Sequence, residues 1–93
     1  MIITFASGDT RRIWEGEWVH RYPGTVQQRA RRKLRMLHNA QTTADLMIPP
    51  ANRLEKLKGD FQGFHSIRVN DQWRLVFRWE SGNAYDVELL DYH

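Results

Sequence analysis

The sequence predicts an α+β domain, with N-terminal helices packed on a small, mostly antiparallel β-sheet. Three observations carry this. Apolar residues recur at helical spacing in the first half of the chain, and after Pro49-Pro50 they alternate with period two. The alternating segments are joined by short turn sequences, Asn70-Asp71 and Ser81-Gly82-Asn83, as in a meander. Finally, 93 residues without an internal repeat, a low-complexity stretch or a linker accommodate one domain, 1–93.

Element by element, residues 2–5 (Ile-Ile-Thr-Phe) read as a short first strand. Ser7-Gly8-Asp9 offers an oxygen to cap a first helical turn, and a short helix is expected through Ile13-Trp14, ending before Tyr22-Pro23-Gly24. Thr25 and Gln28 have the spacing of a capping box. Val26, Ala30, Leu34 and Leu37 then form one apolar stripe, which is core. Arg31, Arg32 and Arg35 project from the other side, as a solvated face or a phosphate-facing one, with Arg29 and Lys33 flanking the stripe. Residues 42–50 read as irregular or a short helical turn. Strands are expected at 53–58, 65–69, 73–79 and 85–92.

Parity assigns the strand faces. Trp73, Leu75, Phe77 and Trp79 alternate with Arg74, Val76 and Arg78, so the odd set presses on the helices. A three-residue loop, Asn70-Asp71-Gln72, keeps Ile67 and Val69 on that same side and sets Arg68 directly across from Arg74 on the other. Opposed like charges weaken a sheet, so this pairing points to use, and two guanidinium forks suit a phosphate. Tyr85, Val87 and Leu89 are the expected core-facing set of the last strand. Tyr92 then falls on the arginine side, and Asp86 or Glu88 is expected to neutralise Arg78.

Charge is unevenly divided. Residues 1–58 hold eleven Lys/Arg against five Asp/Glu, whereas residues 59–93 hold three against six. A basic half on a small chain suggests a polyanion partner. The chain has no cysteine, hence no disulfide frame and no thiolate metal site. It contains no run of the ~20 apolar residues that crosses a bilayer and no signal-peptide pattern, so no membrane role and a cytoplasmic location are expected. No HExxH, CxxC, glycine-rich phosphate loop or GxSxG is present, which argues against metal catalysis, nucleotide hydrolysis and serine-type hydrolysis; no cofactor is expected. His65 has core parity, His38 lies near a helix end and His20 in a loop. Trp14, Trp18 and Trp73 are expected to be core or staple residues.

RNA cleavage without a metal needs a base for the 2′-OH, cations for the phosphorane and an acid for the 5′-oxygen. Arg68, Arg74 and Lys58 are candidates for the cations. Tyr92, His93 and Asp91 are candidates for proton transfer: His93 has the suitable pKa but a terminal position, and Tyr92 needs nearby cations. Asp91 is expected to orient rather than react, although its odd parity points it away from Tyr92 unless the strand ends or twists there.

The segments Asn52-Arg53-Leu54-Glu55-Lys56-Leu57-Lys58-Gly59-Asp60, His65-Ser66-Ile67-Arg68-Val69-Asn70-Asp71-Gln72-Trp73-Arg74-Leu75-Val76-Phe77 and Asp91-Tyr92-His93 resemble the HigB branch of the RelE/ParE toxin superfamily, also called plasmid-maintenance killer proteins. The resemblance implies a RelE/ParE-like fold and a type II toxin that cleaves mRNA in the ribosomal A site. It also implies a HigA-type helix-turn-helix antitoxin as partner, with operator DNA reached only through that antitoxin. By the same resemblance Lys58 and Arg74 match basic residues that bind or stabilise phosphate, and Asp91, Tyr92 and His93 match the C-terminal active-site cluster. Lys56, Arg68, Arg31, Arg32 and Arg35 join Lys58 as expected RNA contacts. Some members carry a histidine where this chain has Glu55. Either Glu55 acts as the base, or cleavage is weak, or ribosome contact outweighs turnover. ParE-like members, which inhibit DNA gyrase by binding, define the alternative class, and a protein-interaction partner a third.

Overall fold

The computed structural model describes residues 1–91; Tyr92 and His93 lie outside the described residues. Helix α1 spans Gly8–Trp14 and α2 spans Gly24–Asn39. Three short 3-10 turns, Thr43–Met47, Pro50–Asn52 and Gly59–Phe61, surround the first strand. Strands β1 (Glu55–Lys56), β2 (Phe64–Arg68), β3 (Trp73–Glu80) and β4 (Asn83–Asp91) form an antiparallel sheet in the order β1-β2-β3-β4. The α+β expectation therefore holds. Among the described residues no helix is long and apolar enough to cross a membrane.

α1 begins as its sequence suggests. The Ser7 hydroxyl accepts from the Thr10 N–H at 3.1 Å, satisfying an orphan donor of the first turn. Thr10 is buried, and its Oγ1 accepts from the Leu89 N–H of β4 at 3.0 Å, so one threonine ties the helix to the sheet. At the other end, Arg31 Nε donates to the Ile13 carbonyl at 3.0 Å. Arg31 thus caps α1 rather than projecting freely from the far side of α2.

α2 corrects the sequence reading at its start. Its cap is Pro23, without a side-chain hydrogen bond, so Thr25 and Gln28 form no capping box. The helix begins two residues earlier than that pattern requires, which places Thr25 inside the first turn. A capping box does form further on, between Thr42 and Asp45. Backbone N–H groups of Gln41 and Thr42, donating at 2.9 and 3.2 Å, hold the Asp45 carboxyl below its usual range. The stripe Val26, Ala30, Leu34 and Leu37 is buried as expected, against Ile67, Leu75, Phe77, Val87 and Leu89 of the sheet.

A buried polar clamp ties the first turn of α2 to the loop before it. Gln27 Oε1 accepts from the Val19 N–H at 2.9 Å, and its Nε2 donates to the carbonyls of Val19 at 2.7 Å and Tyr22 at 2.9 Å. Three backbone groups of Val19 and Tyr22, the buried residues of an otherwise exposed loop, are satisfied by one amide. Tyr22, held by this loop, packs edge-on against Trp73 at 5.1 Å. Trp14 and Trp73 pack against the core, but Trp18 does not join them. It is 62% exposed, with its ring close over Gly24, where an added Cβ would meet the ring at 3.0 Å.

The N-terminal segment forms isolated parallel bridges, Ile2 with Ala84 and Phe5 with Val87, instead of the regular strand expected at 2–5. The interruption follows from a bulge in β4. Val76 pairs with Glu88 but Arg78 with Tyr85, leaving an extra residue on β4, and Asp86 takes φ 53°. Thr4 Oγ1 accepts the Asp86 N–H at 2.8 Å and so closes the irregularity. The bulge shifts parity: Ala84 is buried, while Tyr85 turns to the opposite side and lies 4.7 Å beneath the Arg78 guanidinium. The expectation of a core-facing Tyr85 is corrected here, whereas Val87 and Leu89, beyond the bulge, are buried as expected.

Candidate active site

The β2–β3 hairpin builds the site. Asn70 Oδ1 accepts from the N–H groups of Gln72 at 2.9 Å and Trp73 at 2.8 Å, pinning the expected three-residue loop. The resulting register sets Ile67 opposite Leu75 and Arg68 opposite Arg74. Ser66 pairs with Glu55 on one side and Val76 on the other. Cross-strand partners point the same way, so Glu55, Ser66, Arg68 and Arg74 share the face turned away from the helices.

Arg74 is the most constrained of these. It is 8% exposed; its Nε donates to Ser66 Oγ at 2.8 Å, and one terminal nitrogen donates to the Arg53 carbonyl at 2.5 Å and the Ser66 carbonyl at 3.3 Å. The other terminal nitrogen faces Glu55 Oε1 at 3.8 Å. Arg53 supplies its carbonyl from a left-handed conformation, φ 43°, which is uncommon outside glycine. Two edges of the guanidinium are thus committed to the fold, and the third looks toward a carboxylate. Arg68 is paired with Asp71. The repulsion expected from two opposed arginines is offset because each has its own acid, Asp71 or Glu55.

Arg53, Glu55, Arg68, Asn70, Asp71 and Arg74 line an open cleft of about 330 Å³. Asp91, at the end of β4 opposite Trp73, accepts from Gln72 Nε2 at 2.8 Å. Its carboxylate is therefore tethered to the hairpin loop; as the cross-strand partner of Trp73 it stands on the helix side of the sheet and does not line this cleft. The expected active-site residues Tyr92 and His93 fall outside the described residues.

The other candidates separate. Arg32 lines a second cleft, of about 350 Å³, together with Arg29, Lys33 and Arg68. Lys56 and Lys58 line a third, of about 420 Å³, with Leu57, Gly59 and Gln62. Lys56 stands opposite His65, so it shares the other side of the sheet from Glu55. The structure does not bring Lys56 and Lys58 into the lining of the Arg74 cleft. Arg35 is exposed and lines none of the three, and Arg31 is engaged at α1. Strand β1 is shorter than the expected 53–58, which frees the Arg53 carbonyl for Arg74.

Sequence reasoning missed Ser66 and Arg53 as supports, and Arg29 with Lys33 as cleft residues. The last two carried a signal, since positions 29, 32, 33 and 36 fall at i, i+3, i+4 and i+7 on one flank of α2. Arg78 is held by Asp86, as expected, and by Glu80 in place of the alternative Glu88, a structural ion cluster. His65 stacks on Phe77 with an interplanar angle of 16°, and its buried Nδ1 has no partner among the described residues. Burial, and after it the Lys56 charge, pushes its imidazole below the ordinary range. His38 Nδ1 accepts from the Ile2 N–H at 3.2 Å, a structural use.

Two helices on a four-stranded antiparallel sheet, with an arginine-lined cleft on the outer face, define the class as a RelE-like toxin fold. The YoeB–YefM toxin–antitoxin complex of Staphylococcus aureus shares the fold with a TM-score of 0.62 and 16% identity, over 100% of this chain and 98% of the other. A YafQ variant from E. coli gives a TM-score of 0.65 at 14% identity, over 98% and 93%. The profile described as RelE-like toxin of type II toxin–antitoxin system HigB matches residues 4–93, and the chain belongs to that family. Toxin HigB-1 of Vibrio cholerae is 40% identical over 90 residues, 96% of this chain and 95% of the relative. Endoribonuclease HigB of Proteus vulgaris is 44% identical over 41 residues, 44% of this chain and 45% of the relative. An antitoxin partner follows from the family.

Proposed function

We propose that this chain is an endoribonuclease that cuts mRNA on the ribosome and so stops translation. The observation that carries the reading is Arg74: a buried guanidinium, anchored by Ser66 and the Arg53 carbonyl, whose remaining edge faces Glu55 in an open cleft. A preorganised cation is what a developing phosphorane charge requires. Arg68 adds a second fork, so guanidinium charge serves where a metal ion would otherwise act.

The step is internal transesterification. A base removes the 2′-OH proton, the 2′-oxygen bonds to phosphorus and the P–O5′ bond breaks. The leaving 5′-oxygen takes a proton, giving a 2′,3′-cyclic phosphate and a 5′-OH. Glu55 is the carboxylate beside Arg74 and serves as the base at the position where some members of the family have histidine. Tyr92 and His93 supply the proton to the leaving oxygen, with Asp91 orienting them from its hold on Gln72. Lys56 and Lys58 contact RNA further out, on the third cleft, and Arg32 on the second. The partner is a HigA-type helix-turn-helix antitoxin, operator DNA is met only through it, and the site of action is the cytoplasm.

Purified ribosomes programmed with mRNA test this reading. Cleavage at a fixed codon position is expected, with loss in Arg74→Ala and on deletion of Tyr92-His93. Persistence in both variants would refute the site assignment. Inhibition of gyrase supercoiling with mRNA left intact would refute the nuclease reading altogether.

A further inference from the structure

The second cleft has a different character from the first. It lies between α2 and the β2–β3 loop, and Arg29, Arg32, Lys33 and Arg68 line it with Met36 and Asn70 among the rest. Among the described residues no Asp or Glu lines it, whereas the Arg74 cleft contains Glu55 and Asp71. The two clefts share Arg68 and Asn70, so they adjoin as a trough with an acid-containing end and an end whose charged residues are all basic. Among the described residues, the ion pairs involve Arg21, Arg68, Arg74 and Arg78, and none engages Arg29, Arg32 or Lys33.

Lys33 is built into this end. Its Nζ donates to Asn52 Oδ1 at 2.5 Å. Asn52 is completely buried, and its Nδ2 donates to the carbonyls of Leu46 at 3.2 Å and Ile48 at 3.4 Å. With both carbonyls as acceptors, the amide can only turn its oxygen to the lysine. Burial, followed by the charges of Arg29 and Arg32, depresses the Lys33 pKa. Three cations are therefore held together on one helix flank without a local counter-anion, a placement relieved when an anion arrives.

We propose that the α2 end of the trough is a second RNA subsite, which holds backbone phosphates beyond the bond being cut. The inference rests on the nuclease reading for what occupies the adjoining cleft. Residues at i, i+3 and i+4 are about 5–6 Å apart at Cβ, a ladder suited to successive phosphates of one strand. A guanidinium supplies bidentate contacts and an ammonium a point charge, neither of which reads sequence, so the subsite gives grip without base preference. The phosphates belong either to the message itself or to ribosomal RNA, and the chemistry of recognition is shared.

The test uses the full chain and an exposed pair, Arg29→Gln/Arg32→Gln, with Lys33→Met as a second variant. Binding is measured against salt for two probes, a 2′-O-methyl oligoribonucleotide that cannot be cut and ribosomes without mRNA. For single-stranded RNA, removing one cation that neutralises a phosphate lowers the slope of log K against log salt by about 0.7. The double variant is expected to lose about 1.4 on one probe. A change on the oligonucleotide assigns the subsite to the message, and a change on vacant ribosomes alone assigns it to ribosomal RNA. Unmoved slopes on both probes would overturn the proposal, as would unmoved slopes with weakened antitoxin binding, which assigns the trough to a protein. The nuclease reading fails separately. Wild-type protein that cuts no mRNA but keeps an Arg29/Arg32-dependent slope would remove that reading and leave the subsite.

Discussion

Replacing Arg74 with lysine keeps the charge and removes the fork. The ammonium can reach one of the acceptors now taken, Ser66 Oγ or the Arg53 carbonyl, but not both. Two hydrogen bonds from a charged donor contribute about 1.5–3 kcal/mol each. Recovery of one by lysine leaves a loss of about 2 kcal/mol. For a domain of this size 1 kcal/mol shifts Tm by roughly 4–8 °C, so a decrease of about 8–16 °C is expected. Global stability of about 5–10 kcal/mol would still leave the variant about 99% folded at 20 °C. At that temperature, cleavage of ribosome-bound mRNA, read by primer extension, is expected to fall about 10²–10³-fold, the effect of losing one preorganised donor. Ser66→Ala, which removes an anchor and leaves the cation, is expected to lower Tm by several degrees, from a loss of about 1 kcal/mol, and the rate by about tenfold. A lysine variant that melts about 10 °C lower but cuts within about threefold of wild type would show Arg74 to be a structural staple, and its assignment to phosphorane stabilisation would be wrong.

Gln27→Leu fills a similar volume but removes the partner of the Val19 N–H and of the Tyr22 carbonyl, while the Val19 carbonyl keeps the Tyr22 N–H at 3.3 Å. A loss of about 3 kcal/mol is expected in urea denaturation, and a midpoint within error of wild type would contradict the clamp. Asp71→Asn removes the acid held against Arg68 at the mouth of the cleft. Because this pair is exposed, stability should change by less than about 0.5 kcal/mol while RNA affinity at low salt rises about twofold to fivefold; weaker binding would count against Arg68 as an RNA contact. His65 titrates below its ordinary range when folded, so as pH falls through ~6.5 the unfolded chain takes up the proton first and stability declines. The decline levels off below the folded-state value. His65→Phe should flatten that component of the stability–pH curve between the two values, and an unchanged curve would show the imidazole to be solvated in solution.

Much of the scaffold is legible from local rules. The buried stripe of α2 follows from spacing, because only one face of a lone helix can meet the sheet. The Arg68–Arg74 register follows from loop parity: an odd loop between two alternating strands leaves one way to bury both apolar sets. The Ser7 cap and the ion pairing of Arg78 are likewise contacts within a short reach of sequence or across one predicted hairpin.

What required the tertiary structure involves residues whose partners lie far along the chain or whose orientation a packed neighbour sets. Parity places Tyr85 in the core, but a bulge at Asp86, stabilised by Thr4 from the other end of the chain, turns it out. By pattern Arg31 is equivalent to Arg32, yet Arg31 caps α1 and Arg32 joins the trough, because the docking angle of α2 decides which flank meets the loop. The candidate site shows the same division. Arg74 is visible by pattern and resemblance, whereas its restraint by Ser66 and the Arg53 carbonyl, and its approach to Glu55, depend on how short strand β1 lies against β2. Periodicity determines which side of an element is apolar, since that is a property of one segment. Which polar groups then meet is determined by the relative placement of several segments, which only their joint packing sets.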